Sequence, residues 1–148
     1  MEYSEGEPGS LPAPILYAVL RLRVDVFVVE QECAYPELDG RDLEPGCRWW
    51  WAEEGGRILA TLRLLDEDEE TGRIGRVATA VDGRGRGLAG ALMDRAVAEC
   101  GARGHRRIVL DAQTVMADWY ARRGFVVTGE EFFDDGIGHV PMERLLDS

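Results

Sequence analysis

RGRGLAG, residues 84 to 90, joins a run that reads as a β-strand (residues 73 to 81) to one that reads as a helix (residues 87 to 103). The first turn of a helix carries N–H groups with no intrahelical acceptor, and the helix dipole adds partial positive charge there, so such a junction suits an anion. Gly85 and Gly87 let the backbone approach a pyrophosphate without an intervening Cβ, and Arg84 and Arg86 add guanidinium groups at the rim. The same residues fit a plain glycine turn. They also spell G-x-G-x-x-G through Gly85, Gly87 and Gly90, with Asp111 21 residues further on, as in dinucleotide-binding folds. Against that third pattern, Arg76, Asp82 and Arg84 interrupt a strand that should be apolar up to its turn. The 37 residues after Asp111 also leave no room for a second mononucleotide half.

Outward from the loop, RRIVLDA (106–112) reads as a buried strand and MADWYARR (116–123) as a short helix stopped by Gly124. FVVTGEEFF (125–133) and HVPMERLL (139–146) then read as two strands around a turn at DDGIG (134–138). Before the loop, CRWWWAEE (47–54), a turn at EEGG and RILATLRLL (57–65) give a β-hairpin signal, with Ile58, Ala60, Leu62 and Leu64 alternating with Leu59, Thr61 and Arg63. The acidic run Asp66 to Glu70 reads as a solvated turn. Ile15, Leu16, Val19, Leu22, Val26 and Phe27 recur at helical spacing, with Ser10 as a candidate cap, an end near Val29 and an i,i+4 pair of Arg21 and Asp25. Residues 31–46 are rich in Pro, Gly and acids and read as a loop. Residues 1–10 read as a flexible lead-in, leaving 11–148 as a single domain. The order αβββαβαββ mixes antiparallel hairpins with one crossover helix. The expected fold class is therefore α/β, a mixed and mostly antiparallel sheet flanked by helices on both faces.

A chain of 148 residues is the size of one domain. All 17 of its basic residues are Arg, so Schiff-base and Walker-lysine chemistry are excluded. With 28 acids the net charge is −11, which argues against nucleic acid or an anionic membrane surface as partner. The charge is uneven: residues 73–123 hold ten Arg and five acids, a net +5 that contains the glycine loop. Cys33, Cys47 and Cys100 have no C-x-x-C spacing and only two His to accompany them, so neither a disulfide framework nor a metal site is expected. The first residues lack the pattern of a signal peptide and no apolar run reaches about 18 residues. The expected location is cytoplasmic.

Arg84 to Ala89 satisfy R-G-x-G-[IL]-[GA], which resembles motif A of the GCN5-related N-acetyltransferase (GNAT) family, whose loop binds the pyrophosphate of acetyl-CoA. That family commonly shows Asn, a Tyr seven residues on and Gly-Phe four residues later; here stand Gln113, Tyr120, Gly124 and Phe125. RLRVDVFVVEQECAYPELDGRD (21–42) and DDGIGHVPM (134–142) are similar to the ElaA-like branch, which Gln113 in place of Asn also fits. The resemblance implies an acetyl-CoA-dependent N-acetyltransferase with direct transfer to an amine in a ternary complex; no metal is expected, and an exposed sheet edge would suit a homodimer. It implies a donor site of Val77, Thr79, Arg84, Gly85, Arg86, Gly87, Leu88, Ala89 and Gln113, with pantetheine in a slot where strands 73–81 and 106–112 splay. A non-catalytic acyl-CoA sensor and a dinucleotide-binding oxidoreductase are the competing readings.

Amine acetylation needs a held thioester, a neutral amine and a proton for the departing thiolate. The resemblance puts Tyr120 beside the sulfur as general acid, and a phenol of pKa about 10 suits a thiol leaving group; on spacing alone, Met116 and Tyr120 are simply core. No carboxylate lies on strand 73–81, where Arg76 stands at ground some relatives give to Glu. The candidate bases are Glu30, Asp39, Asp42 and His139. Their bland readings are a helix end for Glu30, turn residues around Gly40 for the aspartates and a surface strand position for His139. Trp49, Trp50 and Trp51 alternate across their strand and could supply an aromatic wall to an acceptor pocket.

Overall fold

A computed structural model describes residues 1–147. Eight strands form one sheet: β1 (Glu2–Gly6), β2 (Arg48–Glu54), β3 (Arg57–Asp66), β4 (Thr71–Thr79), β5 (Arg107–Gln113), β6 (Val126–Val127), β7 (Phe132–Asp134) and β8 (Ile137–Leu145). Their order is β1-β2-β3-β4-β5-β8-β6, with β7 also on β8, and every pairing is antiparallel except β4 with β5. The expected fold class is borne out. The dinucleotide-binding reading is not, because the sheet of the described residues has a single parallel pair, β4 with β5, and Asp111 is ion-paired with Arg73 at 3.5 Å.

Three α-helices cover the sheet: α1 (Ala13–Val24), continued by a π-helical turn Asp25–Glu30, α2 (Leu88–Ala102) and α3 (Ala117–Ala121). Strand periodicity sorts the side chains into two cores. Trp50, Leu62, Leu64, Leu92, Met93, Ala112, Tyr120, Phe125, Val140 and Met142 pack on the α2 face. Val19, Leu22, Val26, Trp49, Trp51 and Leu65 pack on the α1 face. The three tryptophans are all buried, at 1%, 1% and 5% exposure, so none walls a pocket, contrary to the aromatic-wall expectation.

Three local expectations change. Residues 1–10 are not a flexible lead-in: β1 pairs with β2 from Glu2↔Glu53 to Gly6↔Trp49. Glu5 accepts a hydrogen bond from Trp50 Nε1 at 2.8 Å, and Arg95 lies 4.3 Å from the Tyr3 ring centroid. Ser10 does not cap α1. It sits in a 3₁₀ turn, and the carbonyl of Pro12 accepts the first helical N–H groups, from Ile15 and Leu16. The strand expected over 125–133 is split into β6 and β7, whose registers on β8 differ by two residues. Pro141 of β8 lies opposite the break and has no N–H to donate; only its carbonyl is used, by Thr128 N–H at 2.9 Å.

Candidate functional site

The site begins with a defect in β4. Its register with β3 slips by one residue between Gly75 and Ala78, and Arg76 within the slip has φ +51°. This bulge bends β4 away from β5, which pairs with it only through residues 71–73 and 107–109. Beyond Arg73 and Val109 the two strands part. A cavity of about 970 Å³ occupies the gap and is lined on the α2 side by Leu88, Ala89 and Tyr120, and on the α1 side by Gln31, Asp39 and His139. It is a slot through the sheet.

The glycine loop closes one end. Gly85 and Gly87 have φ +75° and +74°, and a Cβ on either would meet nothing within 4 Å. Their requirement is thus backbone conformation and open approach rather than internal packing. Ala91 N–H is the first in the helix to find an intrahelical acceptor, Gly87 O at 3.1 Å, which leaves the N–H groups of Leu88, Ala89 and Gly90 at the helix start to be met from outside. Gly90 has a different reason: a Cβ there would overlap the Arg123 guanidinium. These features fit a diphosphate.

Of the residues expected at the donor site, Val77, Thr79, Arg84, Gly85, Gly87, Leu88, Ala89 and Gln113 all line the cavity. Arg86 does not; it is turned toward Glu54, at 2.7 Å. Gln113 exchanges hydrogen bonds with Gln31 at 3.2 and 3.4 Å, so a side-chain amide stands on the α1 side of the slot with a donor and an acceptor to offer. Tyr120 is 8% exposed and packs edge-on against Trp119 and Phe125. Burial pushes its hydroxyl up to about 12, which keeps the proton on the oxygen at neutral pH.

The four base candidates separate. Asp42 accepts from Arg23 at 2.8 and 3.0 Å and from Trp49 Nε1 at 3.0 Å, and does not line the cavity. Burial would raise the Asp39 carboxyl, but hydrogen bonds from Arg63 and from Arg41 N–H, with the charges of Arg63 and Arg76, bring it down to about 2. A carboxylate so weakly basic is a structural anchor. Glu30 lines the cavity but is clamped by Arg84, whose hydrogen bonds and charge hold its carboxyl below the ordinary range. His139 also lines it, stacks on Phe132 at 5.6 Å and has Nδ1 2.8 Å from Ile137 O. A carbonyl only accepts, so Nδ1 donates in that contact, and Nε2 is the ring nitrogen left without a hydrogen-bond partner among the described residues.

What the sequence reading missed is the α1-side wall. The loop after α1 is held by a buried network in which Arg23, 1% exposed, donates to both oxygens of Glu37 at 3.0 Å and to Asp42. Arg76 joins it through Asp39 at 3.1 Å and lies 5.4 Å from the Tyr35 ring centroid. Phe27, Tyr35, Trp119 and Phe132, rather than the tryptophan triplet, supply the cavity's aromatic surface. Alternation on β7 would have put Phe132 and Asp134 on one face, but Glu37 gave no signal, since its partners lie 14 and 39 residues away.

Comparison with known proteins agrees with this geometry. A family model described as an acetyltransferase (GNAT) domain matches residues 22–146. UPF0039 protein Rv2851c of Mycobacterium tuberculosis is 50% identical over 138 residues, 90% of this chain and 86% of its own. Protein ElaA of Escherichia coli is 33% identical over 147 residues, 97% of this chain and 96% of its own, and its crystal structure superposes with a TM-score of 0.89. The crystal structure of an acyl-CoA N-acyltransferase from Pseudomonas aeruginosa, 38% identical, superposes with a TM-score of 0.90 over 97% of this chain and 98% of that one.

Proposed function

Because the chain belongs to the GNAT acetyltransferase family, ElaA-like branch, we propose that it transfers an acetyl group from acetyl-CoA to an amine by direct attack in a ternary complex. The observation that carries this reading is the slot through the sheet, with a glycine loop and free helix N–H groups at one end and two chemically distinct faces.

On the α2 side, Leu88, Ala89 and the loop glycines would hold the donor's diphosphate; in the gap itself the splayed edge at Val77 and Thr79 would pair with the pantetheine amides, which the Gln113 side chain would meet from the α1 side. The thioester supplies the activated acetyl group when bound. Tyr120 keeps its proton until a thiolate needs it. On the α1 side, His139 offers Nε2 to the amine: Ala112 and Val140 belong to the α2-side core, so their neighbours Gln113 and His139 project the other way. Acid and base thus sit on opposite faces of the sheet, with the acyl group between them. Asp134 and Asp135, at the same end of the cavity as Phe132 and His139, favour a cationic acceptor by attraction.

An acceptor screen that reads free thiol tests the proposal, with amino acids, polyamines, aminoglycosides and peptides side by side. Thiol release above the acceptor-free rate with at least one amine is expected. Tight CoA binding with no such release across the whole panel would instead favour a non-catalytic acyl-CoA sensor.

A further inference from the structure

Arg84 is already engaged. Its Nη1 and Nη2 donate to the two carboxylate oxygens of Glu30 at 2.7 and 2.6 Å, while Nε donates to Thr79 O at 3.2 Å. A guanidinium presents the same planar fork to a carboxylate and to a phosphate, so Glu30 holds the face of Arg84 that a diphosphate oxygen would take. Glu30 ends the π-helical turn after α1, 54 residues from Arg84 in sequence, and both side chains line the cavity. Arg86 is also paired, but with Glu54, and neither of those two lines it. The Glu30 pair is therefore the contact at the loop that a ligand in the slot must exchange.

Resting on the donor-site reading above, we propose that Glu30 is an intramolecular competitor for the donor's diphosphate: it yields Arg84 when acyl-CoA binds and takes it back as CoA leaves. Glu30 is thus a positioning residue and not the base. Two consequences follow from the geometry. The carboxylate returns to Arg84 at the moment CoA departs, which speeds release of a product that would otherwise linger. While the donor is bound, the freed carboxylate leaves a negative charge beside the glycine loop, at the end of the turn that follows α1. The pair is 43% and 39% exposed at its two side chains, so competition of this kind tempers affinity by a small factor rather than blocking binding.

Calorimetric titration of CoA and of pantetheine, which lacks the diphosphate, into wild type, Glu30→Gln, Arg84→Gln and the double variant tests this. Glu30→Gln is expected to bind CoA about two- to five-fold tighter, the range an exposed ion pair corresponds to, with a matching fall in the CoA dissociation rate. Pantetheine affinity is expected to stay the same. In the Arg84→Gln background the substitution at Glu30 is expected to change nothing. Unchanged or weaker CoA binding by Glu30→Gln overturns the proposal, as does an equal gain for pantetheine, which would mean that the mouth had merely been opened. Wild type that binds no CoA overturns the donor-site reading itself, a result distinct from a failure confined to the Glu30 comparison.

Discussion

Tyr120 and Asp39 are two side chains whose environments push their proton affinities in opposite directions. Burial pushes Tyr120 up to about 12, so its proton is held through neutral and mildly alkaline pH. Tyr120→Phe keeps the ring contacts to Trp119 and Phe125 and removes only the hydroxyl. It is expected to bind acetyl-CoA as wild type does while turnover falls at least about 100-fold, the lower end of general-acid contributions; full turnover would show the hydroxyl is not needed. Asp39 is depressed from 3.8 to about 2 because its arginine bonds outweigh the burial penalty. A depressed carboxyl contributes stability above its unfolded pKa and loses it as pH falls through the folded one. Asp39→Asn should therefore melt lower than wild type at pH 7, with the gap closing between pH about 4 and about 2 in thermal scans at stepped pH. The family pattern singled out Tyr120 in the sequence, and the side chain lines the cavity. The structural duty of Asp39 and Asp42 was not, because Arg63 is 24 residues from Asp39 and Arg23 is 19 from Asp42, and nothing in local sequence marks such pairs.

Helix α1, the loop after it and the bulged strand β4 are joined by charges that leave no apolar signature. Arg23 from α1, Arg63 from β3 and Arg76 from β4 face Glu37, Asp39 and Asp42 of the loop, three charges against three. Arg23→Met removes one member and leaves Glu37 and Asp42 short of a partner, so a loss of about 3–5 kcal/mol is expected in urea unfolding; a loss under about 1 kcal/mol would mean that the network is solvated. At the glycine loop, Gly87 has φ +74° in open space, so Gly87→Val strains the turn by about 1–2 kcal/mol and places a branched side chain where the donor must approach. Donor affinity is expected to fall at least tenfold, with the far-ultraviolet circular dichroism unchanged. Strands β2 to β5 and helix α2 were legible because alternation and helical spacing are written in apolar residues. β1 was not, since Glu2, Glu5 and Gly6 are poor strand formers, and the strand is held by contacts from elsewhere in the chain, Trp50 to Glu5 and Arg95 to Tyr3. The break between β6 and β7 had its cause in Pro141, on the opposite strand.

For the whole molecule, the net charge of −11 concealed a basic stretch around the glycine loop, and folding then neutralises much of that stretch. Arg73, Arg76, Arg84, Arg86 and Arg103 each meet an acid from outside it: Glu67, Asp39, Glu30, Glu54 and Asp66. On the proposed reading, the attraction for an anionic donor is therefore local, vested in the loop N–H groups and in the Arg84 guanidinium that Glu30 would yield, rather than a property of a bare arginine patch. No helix of the described residues is long and apolar enough to cross a membrane. The account rests on the slot between β4 and β5 being a donor site, and titration calorimetry with acetyl-CoA tests that most directly, on wild type beside Gly87→Trp. One-to-one binding by wild type, competed by CoA and lost when an indole fills the loop, is the predicted result. No binding by wild type, or equal binding by the Trp variant, would contradict the account.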